Sequence, residues 1–371
     1  MLKNFLFLIV LSLLSNMTKS IEELKENKSI SKLISMVRTQ IVDKSLSDLP
    51  RQKEANILQM VSKMVNAKKE YSLNEAESAY LVFKWISENL FVYFKNKYTD
   101  DPINAYNSLN GSPKALSSLF DNICTFLKVK SGSISGYLKG IYYKNYDMLS
   151  GSNYTWNYVE IEGEYYLLDV SLASNYKFDL HEFIYLYFGL QPEIFIRSHF
   201  PNDSKWQLLS EPYTFEKFKS MALLTPFFYL LDFITISPDT NKISGKVKII
   251  LTSDKPIPKY DYLTSCIIEY GETDDLDYFD GSLEGKMEIN YDIDREKCLF
   301  YGVSIYPKNV NCNAPIAYYS TNYTETSSLD FETIDLSNSN IEYNNYLDSK
   351  VVNKEKILKT KKNKNITVNK K

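Results

Sequence analysis

Apolar residues recur every three or four positions in two segments between residues 21 and 98, which is the spacing of helices with one buried face. A third helix is predicted after Gly111. Ser112 is a good N-cap, and Pro113 suits the first helical position, where its missing N–H costs nothing. The predicted buried positions of the three helices are Ile57, Met60, Val61, Met64, Ala79, Val82, Phe83, Ile86, Leu116, Leu119, Phe120, Ile123 and Leu127.

The pattern changes to strand-like alternation after these helices. Residues 132–143 alternate as a strand, residues 154–170 form a hairpin that reverses at Glu162-Gly163-Glu164, and residues 182–188 are an aromatic segment. From about residue 227, short β-rich runs alternate with Gly, Pro, Asp and Asn, which is typical of an all-β sandwich. The runs are FFYLLDFITISP, KISGKVKIILTS, LTSCIIEYG, GKMEINYDI, KCLFYGVSIYP and APIAYYST. The expected fold class is therefore α+β, followed by an all-β sandwich.

The two ends of the chain differ from its middle. Lys3 precedes an apolar run from Phe5 to Leu14, so residues 1–20 are predicted to be a signal peptide cleaved near Ser20, with an uncleaved anchor as the alternative. The Asn- and Lys-rich residues 336–371 are predicted to be a disordered basic tail. We expect a secreted protein whose tail is a solvated extension or, alternatively, binds an anionic surface.

Composition and charge narrow the classes of partner. The chain has 371 residues, which favours more than one domain, and its net charge of −3 gives no global basic field for nucleic acid. Cys124, Cys266, Cys298 and Cys312 permit disulfides whose pairing the sequence leaves open, and their spacing matches no metal motif. We expect neither a metal ion nor another cofactor.

Several motifs, in order along the chain, carry a resemblance to known proteins. KWISENLFVY (84–93), ISGYLKG (134–140), TWNYVEIEGEYYLLDVS (155–171) and YFGLQPEIFIRSHFPNDSKWQLL (187–209) resemble motifs of the transglutaminase-like domain of the kyphoscoliosis peptidase family, a branch of the papain-like fold. The later β-rich region resembles the immunoglobulin-like module that can follow this domain. The resemblance implies a helical N-terminal part with a transglutaminase-like domain at 21–216 and an immunoglobulin-like sandwich at 225–335.

The resemblance also implies where catalytic residues should lie. The family uses a cysteine at a helix N-terminus, a histidine and an aspartate, because the helix start and the imidazole lower the thiol pKa. The matching positions of this chain hold Pro113, Tyr154 and Asp169, so only the carboxylate remains. Cys124 lies on the same predicted helix at roughly 16 Å from Pro113, and His199 of the HFP segment is expected to be structural.

The leading interpretation is a secreted transglutaminase-like pseudoenzyme with no confirmed catalytic residue, whose former cleft and sandwich bind an unidentified protein or peptide. The alternative is an active cysteine-peptidase- or transglutaminase-like hydrolase with a rearranged nucleophile such as Ser112, which needs a base from His181 or His199. A third possibility is a structural surface component that docks through its basic tail. The leading interpretation requires that no imidazole and no other thiol lies within bonding distance of the Asp169 carboxylate.

Overall fold

The computed structural model describes residues 30–49, 56–92, 100–140, 152–175, 185–258, 260–268, 271–293, 300–307 and 314–321. The predicted signal peptide (1–20) and basic tail (336–371) lie outside the described residues, as do His181, Cys298 and Cys312. No helix within the described ranges is long and apolar enough to cross a bilayer.

The helices begin where the sequence supplies caps. Asn56 and Asn74 each form a capping box with a residue three positions later, and the Ser112 hydroxyl accepts from the Ala115 N–H at 3.1 Å. Every predicted buried position on the three helices is buried except Ile57, which is the first residue of its helix and only partly covered. The helices are α1 (Thr39–Ser47), α2 (Ile57–Glu70), α3 (Glu75–Asn89), α4 (Pro102–Ser108), α5 (Pro113–Phe126), α6 (Val170–Asn175), α7 (Pro192–Phe195), α8 (Phe215–Ser220) and α9 (Pro226–Leu230).

A five-stranded antiparallel sheet covers helix α5, which packs on its strands β3 and β4. The sheet has the strand order β6-β5-β4-β3-β7. The hairpin between β4 and β5 turns at Glu162 (φ 54°) and Gly163 (φ 84°), as expected for a two-residue turn with two left-handed residues. Two short strands, β1 (Phe91–Val92) and β2 (Asn110–Gly111), pair separately. The strands of the larger sheet are β3 (Lys130–Leu138), β4 (Tyr154–Ile161), β5 (Glu164–Leu168), β6 (Phe188–Leu190) and β7 (His199–Pro201).

The later region consists of two further sheets. One has the order β14-β11-β9, and the other follows the path β10-β16-β15-β12-β13, with β8 paired to β16. Strands β10 and β16 are parallel, and the other neighbours are antiparallel. The strands are β8 (Leu223–Leu224), β9 (Thr235–Ser237), β10 (Lys242–Ile243), β11 (Lys246–Thr252), β12 (Tyr260–Ile268), β13 (Gly271–Phe279), β14 (Lys286–Asp292), β15 (Phe300–Pro307) and β16 (Ala314–Thr321).

Two details of the β-rich prediction were wrong. FFYLLDFITISP begins as helix α9 rather than as a strand, because Pro226 occupies the first helical position after Thr225 and the following apolar run fits either structure. Strand β13, with the sequence GETDDLDYF, was not among the predicted runs, because aspartate is uncommon in strands. β13 lies at the edge of its sheet, where charged residues discourage further pairing.

Two buried cations connect the five-stranded sheet region to the segment that leads into the β-rich region. Lys139 Nζ donates to the carbonyl oxygens of Phe218 and Met221, the latter at 2.8 Å. Arg197 Nη1 and Nη2 contact the two carboxylate oxygens of Asp239 at 2.9 and 2.6 Å, and Nη2 also donates to the Ala222 carbonyl at 2.8 Å.

The mixed α+β class is confirmed, whereas the boundary between 21–216 and 225–335 stays a prediction.

Candidate functional site

The structure brings the three sequence-predicted positions to one place. Pro113 is the first residue of α5, Tyr154 is the first residue of β4, and Asp169 stands between β5 and α6. The Tyr154 hydroxyl donates to Asp169 Oδ2 at 2.7 Å. Ser171, whose N–H donates to the same carboxylate, places its hydroxyl 3.5 Å from the Pro113 carbonyl oxygen. Ser171 therefore connects the start of α6, which binds this carboxylate, to the start of α5.

Both oxygens of the Asp169 carboxylate have hydrogen-bond partners. Oδ1 accepts from the N–H groups of Ser171 and Leu172 at 2.8 and 2.9 Å, as an N-cap of α6 does. Oδ2 accepts from Tyr154 and lies 2.9 Å from His199 Nε2. The side chains of Asp169 and His199 have 0% exposure. Burial of this carboxylate is tolerated because hydrogen-bond donors on both oxygens replace the water molecules that the group loses on folding.

His199 is the site residue whose position the sequence did not reveal. The expectation that no imidazole lies within bonding distance of Asp169 is wrong, because strand β7 carries the ring to the carboxylate. Gly136 of β3 faces Pro201 of β7 on one side and Tyr154 of β4 on the other. A Cβ at Gly136 would lie 2.2 Å from the Phe200 carbonyl oxygen, so the close approach of β7 requires glycine. In the sequence, Gly136 and the HFP segment were the features that could have indicated the position of His199.

The hydrogen bonds continue from His199 to a serine. In the tautomer whose Nε2–H donates to the Asp169 carboxylate, Nδ1 of His199 is an acceptor. Ser198 Oγ lies 2.8 Å from Nδ1 and can supply that proton. Ser198 is half-buried, while His199 is enclosed by Phe195, whose ring stacks at 3.9 Å, and by Trp156 at 5.2 Å. The site thus holds a Ser198–His199–Asp169 chain of hydrogen bonds.

The start of α5 lacks a thiol. Pro113 occupies the helical position at which the resemblance implies cysteine, and Ser112 beside it is already engaged. The Ser112 hydroxyl donates to Asp100 Oδ1 at 2.6 Å and accepts from Ala115. The hydrogen bond from Ser112, together with Lys114, lowers the pKa of Asp100, which makes that carboxylate a weaker base. Ser112 is therefore a capping residue in this arrangement, with a carboxylate rather than an imidazole as its partner.

The cysteine of α5 is also unsuited to the chemistry. Cys124 is fully buried near the far end of the helix, and burial raises the pKa of its thiol. A thiol in that state supplies little thiolate at neutral pH. Cys266 lies in β12 of the β-rich region, and its side chain is outside the described residues, so the disulfide expectation stays open.

The side chains of Asp169 and His199 are closed off from solvent. Two surface depressions of the described ranges lie elsewhere: one is lined by residues of 125–131, Tyr158 and Glu160, and the other by residues 256–258 and 280–283. Trp156 Nε1 is buried beside His199 without a hydrogen-bond partner. Within the described ranges no cluster of three or more His, Cys, Asp or Glu side chains could hold a metal ion.

Comparison with known proteins gives partial matches. No protein-family model matches the chain. It is 30% and 31% identical to the kyphoscoliosis peptidases of Homo sapiens and Mus musculus over 150 residues, which cover 37% of this chain and 22% of each relative. It is 24% identical to Lim and transglutaminase domain protein ltd-1 of Caenorhabditis elegans over 217 residues, covering 51% of this chain and 29% of that one.

The chain thus spans 22% of the length of the first two relatives, so their whole-protein properties do not transfer directly. A crystal structure of a TGase covers 36% of this chain and 36% of its own at 9% identity with a TM-score of 0.25. A score this low carries no argument about the site.

Proposed function

Because the chain contains a transglutaminase-like domain similar to part of the kyphoscoliosis peptidases, we propose that it is a pseudoenzyme whose domain binds a protein or peptide instead of transforming it. The observation that carries this proposal is Pro113 at the start of α5, where the resemblance implies a cysteine. Tyr154 occupies the position at which the resemblance implies a histidine. A proline offers no nucleophile, and the Tyr154 hydroxyl donates its proton to Asp169 rather than accepting one as a base.

The expected loss of turnover supports the interpretation as a pseudoenzyme. Removal of a triad member from hydrolases lowers turnover by about four to six orders of magnitude. The requirement that no imidazole reach Asp169 is not met, because His199 Nε2 lies 2.9 Å from its carboxylate. A base is therefore present, and the proposal rests on the missing nucleophile: Pro113 stands at the start of α5 and Ser112 caps that helix. The donors and acceptors of Asp169 and His199 are filled by Tyr154, Ser198 and two backbone N–H groups, which is the arrangement of a structural network.

The β-rich region is proposed to be an immunoglobulin-like partner-binding module. Its strand order supports this: β9, β11 and β14 correspond to strands A, B and E of such a sandwich, and β16, β15, β12 and β13 correspond to G, F, C and C′. Loops at the ends of such sandwiches commonly bind partners, because a rigid framework positions them.

The enzymatic test compares the wild type with a Pro113→Cys, Tyr154→His double variant in transglutaminase, deamidase and peptidase assays. We expect no turnover by the wild type, because no thiolate stands at the helix start. Gain of turnover by the double variant supports loss of chemistry on a retained scaffold. Robust wild-type turnover contradicts the proposal.

Export is part of the proposal. It is supported by the apolar run after Lys3, and the Lys-rich residues 336–371 are proposed to contact an anionic surface. N-terminal sequencing of the chain recovered from the medium of expressing cells should begin near residue 21. Salt-sensitive binding to anionic vesicles that persists after deletion of residues 350–371 would remove the tail from the account.

A second candidate function follows from the Ser198–His199–Asp169 chain: acyl transfer with Ser198 as the nucleophile. The imidazole connects a serine to a buried carboxylate, as in serine hydrolases, although its two nitrogens exchange roles. Hydrolysis of an activated ester that Ser198→Ala abolishes and Ser204→Ala preserves would favour this function. Equal hydrolysis by both variants would remove it.

A further inference from the structure

Three asparagines of the described ranges stand in the pattern Asn-x-Ser or Asn-x-Thr, the acceptor for N-linked glycans in exported proteins. They are Asn110, Asn153 and Asn202. A three-residue pattern arises often by chance, so it identifies no site by itself. A glycan is bulky and solvated, however, and its asparagine must lie at the surface of the folded protein. The structure separates the three asparagines by this requirement.

Asn153 meets the requirement. It is exposed in the turn before β4, whereas the next two residues, Tyr154 and Thr155, are each 4% exposed. Thr155 Oγ1 donates to the Asn153 carbonyl oxygen at 3.2 Å, so the turn uses the backbone of Asn153. The Asn153 side-chain amide forms no hydrogen bond with any residue that the structure describes. A sugar on Nδ2 would therefore replace no contact of the described fold.

The other two asparagines use their side-chain amides within the fold. Asn110 is half-buried in β2, and its Nδ2 donates to the Ser108 carbonyl oxygen at 2.9 Å. Asn202 is exposed, but its Nδ2 donates to the Ser152 carbonyl oxygen at 3.0 Å and ties the end of β7 to the turn before β4. A glycan on either amide would have to fit beside a segment that the amide already contacts.

We propose that Asn153 is an attachment site for an N-linked glycan. In the transfer, Nδ2 of Asn153 bonds to the anomeric carbon of an oligosaccharide carried on a polyprenyl diphosphate. The bond from that carbon to the diphosphate oxygen breaks, Nδ2 loses one proton, and the polyprenyl diphosphate leaves, so no oxidant or reductant is needed. This inference rests on the proposed export, because the oligosaccharide donor is encountered in the secretory pathway.

The glycan would stand at the end of the five-stranded sheet that holds the Asp169 network. Tyr154, the residue after Asn153, donates to Asp169 Oδ2 at 2.7 Å. Gly136 of β3 faces Tyr154 on one side and Pro201 on the other, so β4 begins at the same end of the sheet at which β7 finishes. The proposed glycan is therefore a neighbour of the candidate site and lies outside its buried hydrogen bonds.

The experiment expresses the full chain in cultured eukaryotic cells and recovers it from the medium. Peptide N-glycosidase in heavy-oxygen water converts each glycosylated asparagine to an aspartate that carries the heavy oxygen, and peptide mapping locates the label. We expect the label at position 153. In electrophoresis without the glycosidase, Asn153→Gln should lose the mobility shift of one glycan.

Asn110→Gln is the matched control, because it makes the same substitution at a half-buried asparagine of the same pattern. It should leave the mobility of the exported chain unchanged. Circular dichroism should show Asn153→Gln folded, since its amide has no hydrogen bond within the described part of the chain.

An exported chain without the label at position 153, a label at position 110 in its place, or equal mobility of the wild type and Asn153→Gln would overturn the proposal. If the chain stays in the cytosol, export fails, and residues 1–20 are exchanged for a foreign signal peptide. A label at position 153 then confines the failure to export, whereas its absence overturns the glycan site. Wild-type catalysis in the turnover assay would contradict the pseudoenzyme proposal and leave the glycan result intact.

Discussion

At the level of single residues, the site is a carboxylate with two side-chain donors on one oxygen. Tyr154 and His199 share Asp169 Oδ2 at 2.7 and 2.9 Å, and the start of α6 takes Oδ1. In a catalytic site a base must be free to exchange a proton with substrate. Here the same atoms serve a buried network, whose energetic role can be measured by removing one member at a time.

Asp169→Ala removes an N-cap and the acceptor that the Tyr154 hydroxyl and His199 Nε2 share. We expect a loss of about 3 kcal/mol in unfolding free energy. Tyr154→Phe removes one donor only and should cost about 1 kcal/mol. Urea unfolding followed by tryptophan fluorescence measures both values. Tyr165→Phe, at a 45% exposed tyrosine, is the control and should be neutral; equal losses in all three variants would contradict the network.

At the level of elements, the hairpin and helix α5 could be predicted and the position of β7 could not. The Glu162–Gly163 turn and the Ser112–Pro113 helix start are local signals. The contact between β7 and β3 joins residues far apart in sequence, so no local pattern reveals that His199 reaches Asp169. The acidic β13 was missed for a related reason: its partner strand, and not its own propensity, makes it a strand.

Gly136→Ala tests how β7 is seated. The added methyl would meet the Phe200 carbonyl and the Trp156 ring, so β7 must move away from β3. We expect a loss of about 2 kcal/mol in unfolding free energy from this overpacking. Ser135→Ala, at the exposed neighbouring position of the same strand, should change little. A neutral Gly136→Ala variant would show that the approach of the two strands is looser than described.

At the level of the whole molecule, the sheet region and the β-rich region are joined through Lys139 and Arg197. Burial, which has the largest effect, and the nearby Arg197 together lower the pKa of Lys139 to about 7, while Asp239 opposes the shift. Arg197 and Asp239 form a two-bond ion pair that fixes the segment after α8. The stability of the whole unit should therefore depend on pH near neutrality.

The unfolded chain keeps Lys139 protonated up to its ordinary pKa of 10.5, whereas the folded chain releases that proton above about pH 7. The unfolded state binds more protons in this window, so unfolding free energy should rise with pH, by up to about 1.4 kcal/mol per unit. Lys139→Met should flatten this slope between pH 7 and 9, the lower part of that window. Lys84→Met, at a lysine paired with Asp43, should retain the slope. An unchanged slope in Lys139→Met would contradict the assignment.

The central claim is that the folded chain presents no activated nucleophile. Mass spectrometry with peptide mapping of the native wild type, after exposure to iodoacetamide and to a fluorophosphonate, assigns any adduct to its residue, with Pro113→Cys as the positive control for alkylation. We expect no adduct on Cys124 or Ser198 in the wild type, and rapid alkylation of the thiol introduced by Pro113→Cys. A fluorophosphonate adduct on Ser198, or an alkylated Cys124 in the folded wild type, would contradict it.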